Sequence, residues 1–116
     1  MTRVICLLAQ GPGKPEGDLS DRLVMNLCLN AQGQLDLSAY EVAPEPWLAS
    51  REFDGAPPRR LEIIRLDEGW ALQSTNSEDD PIWAFEGHVY RPGELVRLQR
   101  PDGGSFLFRI VATETS

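Results

Sequence analysis

Lysine, histidine and cysteine are nearly absent from this chain: it has one lysine (Lys14), one histidine (His88) and two cysteines (Cys6 and Cys28) in 116 residues. Each scarcity excludes something. Two cysteines are too few for a disulfide framework in a chain of this length. One histidine rules out a histidine-rich metal site and leaves any Ser-His-Asp arrangement to be built on His88 alone. Long hydrophobic runs are missing too. The run Val4-Ile5-Cys6-Leu7-Leu8-Ala9 has the length of a strand and falls far short of a membrane span. It follows a single basic residue and enters Gly11-Pro12-Gly13 without a signal-peptide cleavage pattern. The expectation is a cytoplasmic chain with no membrane segment.

Positive charge is also in deficit. Eleven basic residues against eighteen acidic ones give a net charge of −7, which repels both a nucleic-acid backbone and an anionic membrane. A nucleic-acid partner is therefore not expected. The best local basic patch is Arg59-Arg60, and two arginines make a thin one. The rest of the composition is ordinary for a globular chain, with 41% apolar and 25% charged residues. The length suits one core, and residues 1–116 read as a single all-β domain.

What the sequence does contain is a hairpin grammar used three times, at Asn30-Ala31-Gln32-Gly33-Gln34, Leu66-Asp67-Glu68-Gly69-Trp70 and Arg100-Pro101-Asp102-Gly103-Gly104. Two turn formers precede a glycine, and apolar-rich runs flank both sides. A type I turn closed by a left-handed glycine has this pattern. In the first hairpin, Leu23, Met25, Leu27 and Leu29 share one face and Val24, Asn26 and Cys28 the other. Closing Asn30 on Gln34 sets Leu29 against Leu35 and Leu27 against Leu37. A helix over 20–30, capped by Ser20-Asp21, is the alternative that this alternation argues against. In the second, Ile64 faces Leu72 and Leu66 faces Trp70. In the third, Leu98 faces Phe106 and Val96 faces Phe108. Arg91-Pro92-Gly93-Glu94 reads as a type II turn, and Ile82–Tyr90 as a strand broken near Gly87. The fold class that follows is an antiparallel β-sandwich or partly open β-barrel of about eight or nine short strands. Residues 42–58 hold four prolines around Trp47–Phe53 and leave an edge strand or a helical turn open.

Residues 69–110 resemble the C-terminal half of forkhead-associated domains in the placing of Gly69-Trp70, Ser74-Thr75-Asn76-Ser77 and Pro92-Gly93-Glu94. The Gly-Arg, Ser-x-x-His and Asn-Gly elements that read phosphothreonine are missing, so no family and no site residue is carried over.

Candidate chemistry is sparse. Cys6 reads as a small core residue and Cys28 as an outward one, neither with an activating electropositive setting. Glu78-Asp79-Asp80 lacks the alternate ligand spacing and glycine of a calcium loop and reads as solvated. No metal or cofactor is expected. Trp47 sits between prolines and is read as the partly exposed tryptophan; with Arg51, Arg59 and Arg60 it forms the candidate binding patch, since tryptophan and arginine dominate recognition hot spots. Trp70 is read as core.

Three functional readings follow. The first is a non-catalytic binding or protein-interaction module, with an unidentified protein partner or self-association through open sheet edges. The second is a small-ligand barrel acting as an enzyme through His88, which requires His88, Cys28 and Glu86 or Asp36 to meet at one concave spot. The third is an OB-like nucleic-acid binder. It requires aromatics beside arginines on one face, whereas Arg97 and Arg109 share an outer face without one.

Overall fold

The first strand, β1 (Thr2–Gln10), is paired along both of its edges, and that closes the sheet. The structure is a computed structural model that describes residues 1–53, 55–67, 69–75 and 82–115. Seven further strands follow: β2 (Asp18–Leu27), β3 (Trp47–Glu52), β4 (Arg59–Leu66), β5 (Gly69–Ser74), β6 (Trp83–Gly87), β7 (Leu95–Gln99) and β8 (Ser105–Thr115). A short helix, α1 (Leu37–Val42), lies between β2 and β3. Each strand pairs antiparallel with the next, and β8 returns to β1 to complete an eight-stranded barrel. The expected choice between sandwich and partly open barrel resolves to a closed barrel. The open edges expected to drive self-association are therefore not there.

Three irregularities in the pairing of β1 shape the closure, one of them at Leu8–Gln10 against Phe108–Leu107. Ile5 pairs with Ala112 and Cys6 with Ile110, so Val111 bulges out of β8. Between β1 and β2 the register jumps from Leu7↔Arg22 to Leu8↔Asp18. Bulges bend and twist strands, as a closing sheet requires. Inside, alternation fills the lumen. Leu23, Met25 and Leu27 of β2 and Val4, Cys6 and Leu8 of β1 are buried, as are Val96, Leu98, Phe108 and Ile110. Barrels of eight strands have an interior just wide enough for side chains.

The three hairpins fare differently. Arg100–Gly104 forms as expected: Gly103 has φ 99°, and Leu98 pairs with Phe106 and Val96 with Phe108. The Pro92-Gly93 turn also forms, with the Glu94 amide donating to the Arg91 carbonyl at 3.1 Å. At Asn30–Gln34 only the tip forms, through the Asn30 amide on the Gln34 carbonyl (2.8 Å), Gly33 at φ 78° and one bridge, Leu29↔Leu35. The expected pairing of Leu27 with Leu37 is overturned. Asp36 caps a helix instead, its carboxylate accepting from the Ala39 amide at 3.1 Å, a stronger local preference than strand pairing. The second hairpin is one residue out of the expected register. Leu66 pairs with Gly69 and Arg65 with Trp70, while Ile63, not Ile64, pairs with Leu72. Gly69 has no positive φ, so a shorter connection replaces the expected bulge.

Residues 20–30 are largely strand, as the alternation indicated, and Trp47–Glu52 settles the ambiguous proline-rich stretch as β3. Glu78-Asp79-Asp80 lies outside the described residues. Among the described residues no helix is long and apolar enough to cross a membrane.

After β6 the chain folds back, and Tyr90 enters the core at 3% exposure. Its amide donates to the Gly33 carbonyl at 2.7 Å, tying the β6–β7 connection to the first turn. Gly87 makes this possible, because a Cβ there would lie 2.7 Å from the Tyr90 ring and 2.8 Å from its hydroxyl. Gly87→Ala is expected to cost about 1–3 kcal/mol in urea denaturation, the range for overpacking a core. Gly13→Ala, with nothing within 4 Å, is expected to lose only about 1 kcal/mol, from its positive φ. Equal losses would remove the Tyr90 contact as the cause.

Candidate functional site

The two ends of the barrel are sealed by different chemistry. At the end carrying the β1–β2, β3–β4 and β7–β8 connections, the inward positions are Asp21 and Arg51, which are 2% and 9% exposed. The Arg51 Nε donates to Asp21 Oδ1 at 3.0 Å and its Nη2 to Oδ2 at 2.8 Å. Aromatic rings surround the guanidinium, with its carbon 4.6 Å from the Phe53 centroid, 5.0 Å from Phe106 and 5.4 Å from Trp83. A bidentate pair with stacked rings is the arrangement in which an arginine tolerates burial.

At the opposite end α1 lies over the opening. Tyr40 packs edge-on against Trp47 and Trp70, each with centroids 5.0 Å away, and the two indoles stack at 5.8 Å. The Tyr40 hydroxyl donates to the Ile63 carbonyl at 3.2 Å. Beside this cluster lies a groove of about 570 Å³. Its floor and walls include Trp70, Phe85 and Tyr90, and its rim includes Arg65, Arg97 and Glu86. It opens where the wall is weakest: β5 and β6 pair over three positions, Trp70↔Phe85, Ala71↔Ala84 and Leu72↔Trp83.

Of the expected binding residues, Arg51 and Arg59 pair in register at one end of β3 and β4, while Trp47 lies at the other end of β3. Trp47 is 2% exposed and belongs to the core, which corrects its expected exposure. The prolines before it turn the chain inward rather than marking an edge. Arg51 faces the lumen and is consumed by Asp21. Arg59 pairs with Arg51 in register and lines a small cleft of about 300 Å³ with Trp83 and Arg100. Arg60 lies on the outer wall opposite Ser50, beside a shallow depression with Leu48 and Thr75. Trp70, read as core, is only half-buried and forms a groove wall.

The condition set for catalysis is half met. His88 and Glu86 both line the groove. Cys28 does not; its thiol donates to the Met1 sulfur at 3.2 Å, and Asp36 is committed to the α1 cap. Among the described residues no group of three or more His, Cys, Asp or Glu is placed to hold a metal.

Neither family models, curated proteins nor solved structures yield a match to this chain. Its function must be read from its own geometry. The residues that sequence reasoning missed are Asp21 and Arg65. Asp21 sits in the irregular stretch of β2, and Arg65 emerges beside Trp70 only in the shifted register. Arg97 was legible as an outward residue, and nothing in its own hairpin pointed to the aromatic neighbours.

Two predictions follow from the buried groups. Asp21→Asn or Arg51→Met alone is expected to lose about 3–5 kcal/mol, whereas Asp21→Leu with Arg51→Met recovers most of it. Urea denaturation of the four proteins gives the coupling, and simple additivity would contradict a mutually compensating pair. For the thiols, burial pushes the Cys6 pKa up from 9.0 to about 12. The folded chain thus holds that proton after the unfolded chain has lost it. The associated stability is complete below pH 9 and declines as pH rises towards 12. Burial likewise raises the pKa of the Tyr90 phenol, adding to the same alkaline decline. Cys6→Val is expected to flatten the first part of this decline, measured as urea midpoints from pH 8 to about pH 11. An unchanged slope would remove Cys6 as its source.

Proposed function

We propose that this chain is a non-catalytic binding module and that the groove beside Trp70 is its recognition site. One observation carries the reading: the half-buried Trp70 and guanidinium groups without an ion pair among the described residues line a single concavity. Arg65 and Arg97 make no ion pair among the described residues, whereas Arg3, Arg22, Arg51, Arg91 and Arg100 each do. The lumen is filled with side chains, so a ligand has room only at an end or on the wall. The groove's volume falls within the roughly 300–1,000 Å³ typical of small-molecule sites. It also combines apolar walls with a few polar groups, as such sites do. The enzyme reading keeps only His88 and Glu86 together, without a nucleophile or a second base, and is the weaker for it. The OB-like reading is weaker still, because among the described residues Arg97 and Arg109 share an exposed face with no exposed aromatic beside them, and the aromatics near Arg97 are buried or half-buried.

A fragment screen read by amide and indole chemical shifts tests this directly. Weak binders are expected to converge on Trp70, Gly87 and His88. Ala84→Arg, an exposed position on the groove wall, is expected to weaken them at least tenfold while leaving the remaining spectrum intact. Fragments that gather at the Arg59 cleft, or scatter with no preferred site, would remove the groove from the argument.

A further inference from the structure

The charge around the groove runs against the charge of the chain. The rim carries Arg65 and Arg97 against Glu86, a balance of +1 with His88 neutral, on a protein of net charge −7. Glu86 and Arg97 are neighbours in register across β6 and β7, yet they form no ion pair. Arg65 is held differently. Its guanidinium carbon sits 5.2 Å from the Trp70 centroid. An arginine stacked by its face keeps its edge N–H donors for a planar anion, and a carboxylate matches that fork in two parallel hydrogen bonds.

From this, and resting on the groove being the recognition site, we infer that its ligand is a small organic carboxylate with a flat apolar body. The body lies against the exposed part of Trp70, where the buried Phe85 and Tyr90 back the groove, and the carboxylate meets Arg65, with Arg97 contributing longer-range attraction from the other rim. Three features favour a small acid. The groove holds about 570 Å³, with Leu35, Leu66 and Gly69 among its lining, which suits a small molecule rather than a long chain. A long acidic chain would feel the net negative charge of the protein beyond the groove, whereas a single carboxylate is screened from most of it over a Debye length of about 8 Å. Aromatic wall next to guanidinium also selects for an amphipathic anion over a bare one, because an inorganic anion leaves the apolar wall wet.

The test compares 2-naphthoate with its neutral amide, 2-naphthamide, and with inorganic sulfate, on the full chain by amide and indole chemical shifts. The acid is expected to bind in the groove at least tenfold more tightly than the amide, with sulfate weaker than both. Arg65→Gln is expected to abolish the preference for acid over amide, and Arg97→Gln to reduce it about threefold. The preference is also expected to shrink as salt rises from 0.05 to about 0.5 M, as screening of partly exposed charges requires. Both arginines are exposed, and an unchanged spectrum away from the groove checks that each variant is folded. Equal groove binding by acid and amide overturns the carboxylate inference and leaves the binding-module reading standing. Failure of both naphthyl probes while other neutral fragments occupy the groove has the same consequence. Binding of the acid elsewhere, with no fragment in the groove, overturns both.

Discussion

Pairing of β8 with β1 turns a linear series of hairpins into a ring, and most of the rest of the structure answers that constraint. A closed ring has no free sheet edges, so the backbone is satisfied without a partner. It also has a lumen of fixed width. With eight strands, that lumen holds side chains and little else, which is why inward positions on nearly every strand are apolar and buried. The bulges at Val111 and in the β1–β2 register let strands of unequal length meet around the circle. Closure also tethers the two ends of the described chain, since Thr2 pairs with Thr115.

A filled tube still has two mouths, and the sequence closes them by different physics. At one, Asp21 and Arg51 form a buried bidentate pair under aromatic rings. Such a pair adds little net stability over an apolar plug, because desolvation offsets most of the attraction. It is intolerant of losing one member. At the other mouth, α1 delivers Tyr40 onto Trp47 and Trp70. That plug is apolar and covers the opening incompletely, so part of Trp70 remains on the surface and the groove exists beside it.

How much of this was legible depended on whether local chemistry had a competitor. The Arg100–Gly104 hairpin and the Pro92-Gly93 turn were readable because their turn residues and their flanking alternation agree. The Asn30 turn was readable and its sequel was not: Leu35–Ala39 alternates like a strand, yet Asp36 offers a helix cap, and the cap prevails. At Leu66–Gly69 a one-residue change of register exchanged Leu66 for Arg65 beside Trp70. Composition sees little difference between the two registers, but the groove depends on it. Trp47 shows the limit of flanking residues as a guide, since prolines mark where a chain turns without saying whether it turns inward. Asp21 and Arg51 lie 30 residues apart, and neither carries a local signal of the other.

Taken together, these features direct recognition to one place. The wall of a closed barrel presents alternating side chains without backbone donors, and its lumen is packed with buried apolar residues. The mouth sealed by the ion pair has Arg51 committed to Asp21, and its cleft beside Arg59 is about half the volume of the groove. The larger concavity is at the mouth where an apolar plug meets a short β5–β6 pairing, leaving part of Trp70 uncovered beside the exposed Arg65, whose guanidinium carbon lies 5.2 Å from that ring's centroid. Concavity, apolar surface and uncompensated positive charge coincide there because α1 replaced the strand that the sequence pattern suggested. A strand at residues 35–39 would have extended the sheet past the rim, whereas the helix brings Tyr40 onto Trp47 and Trp70 instead.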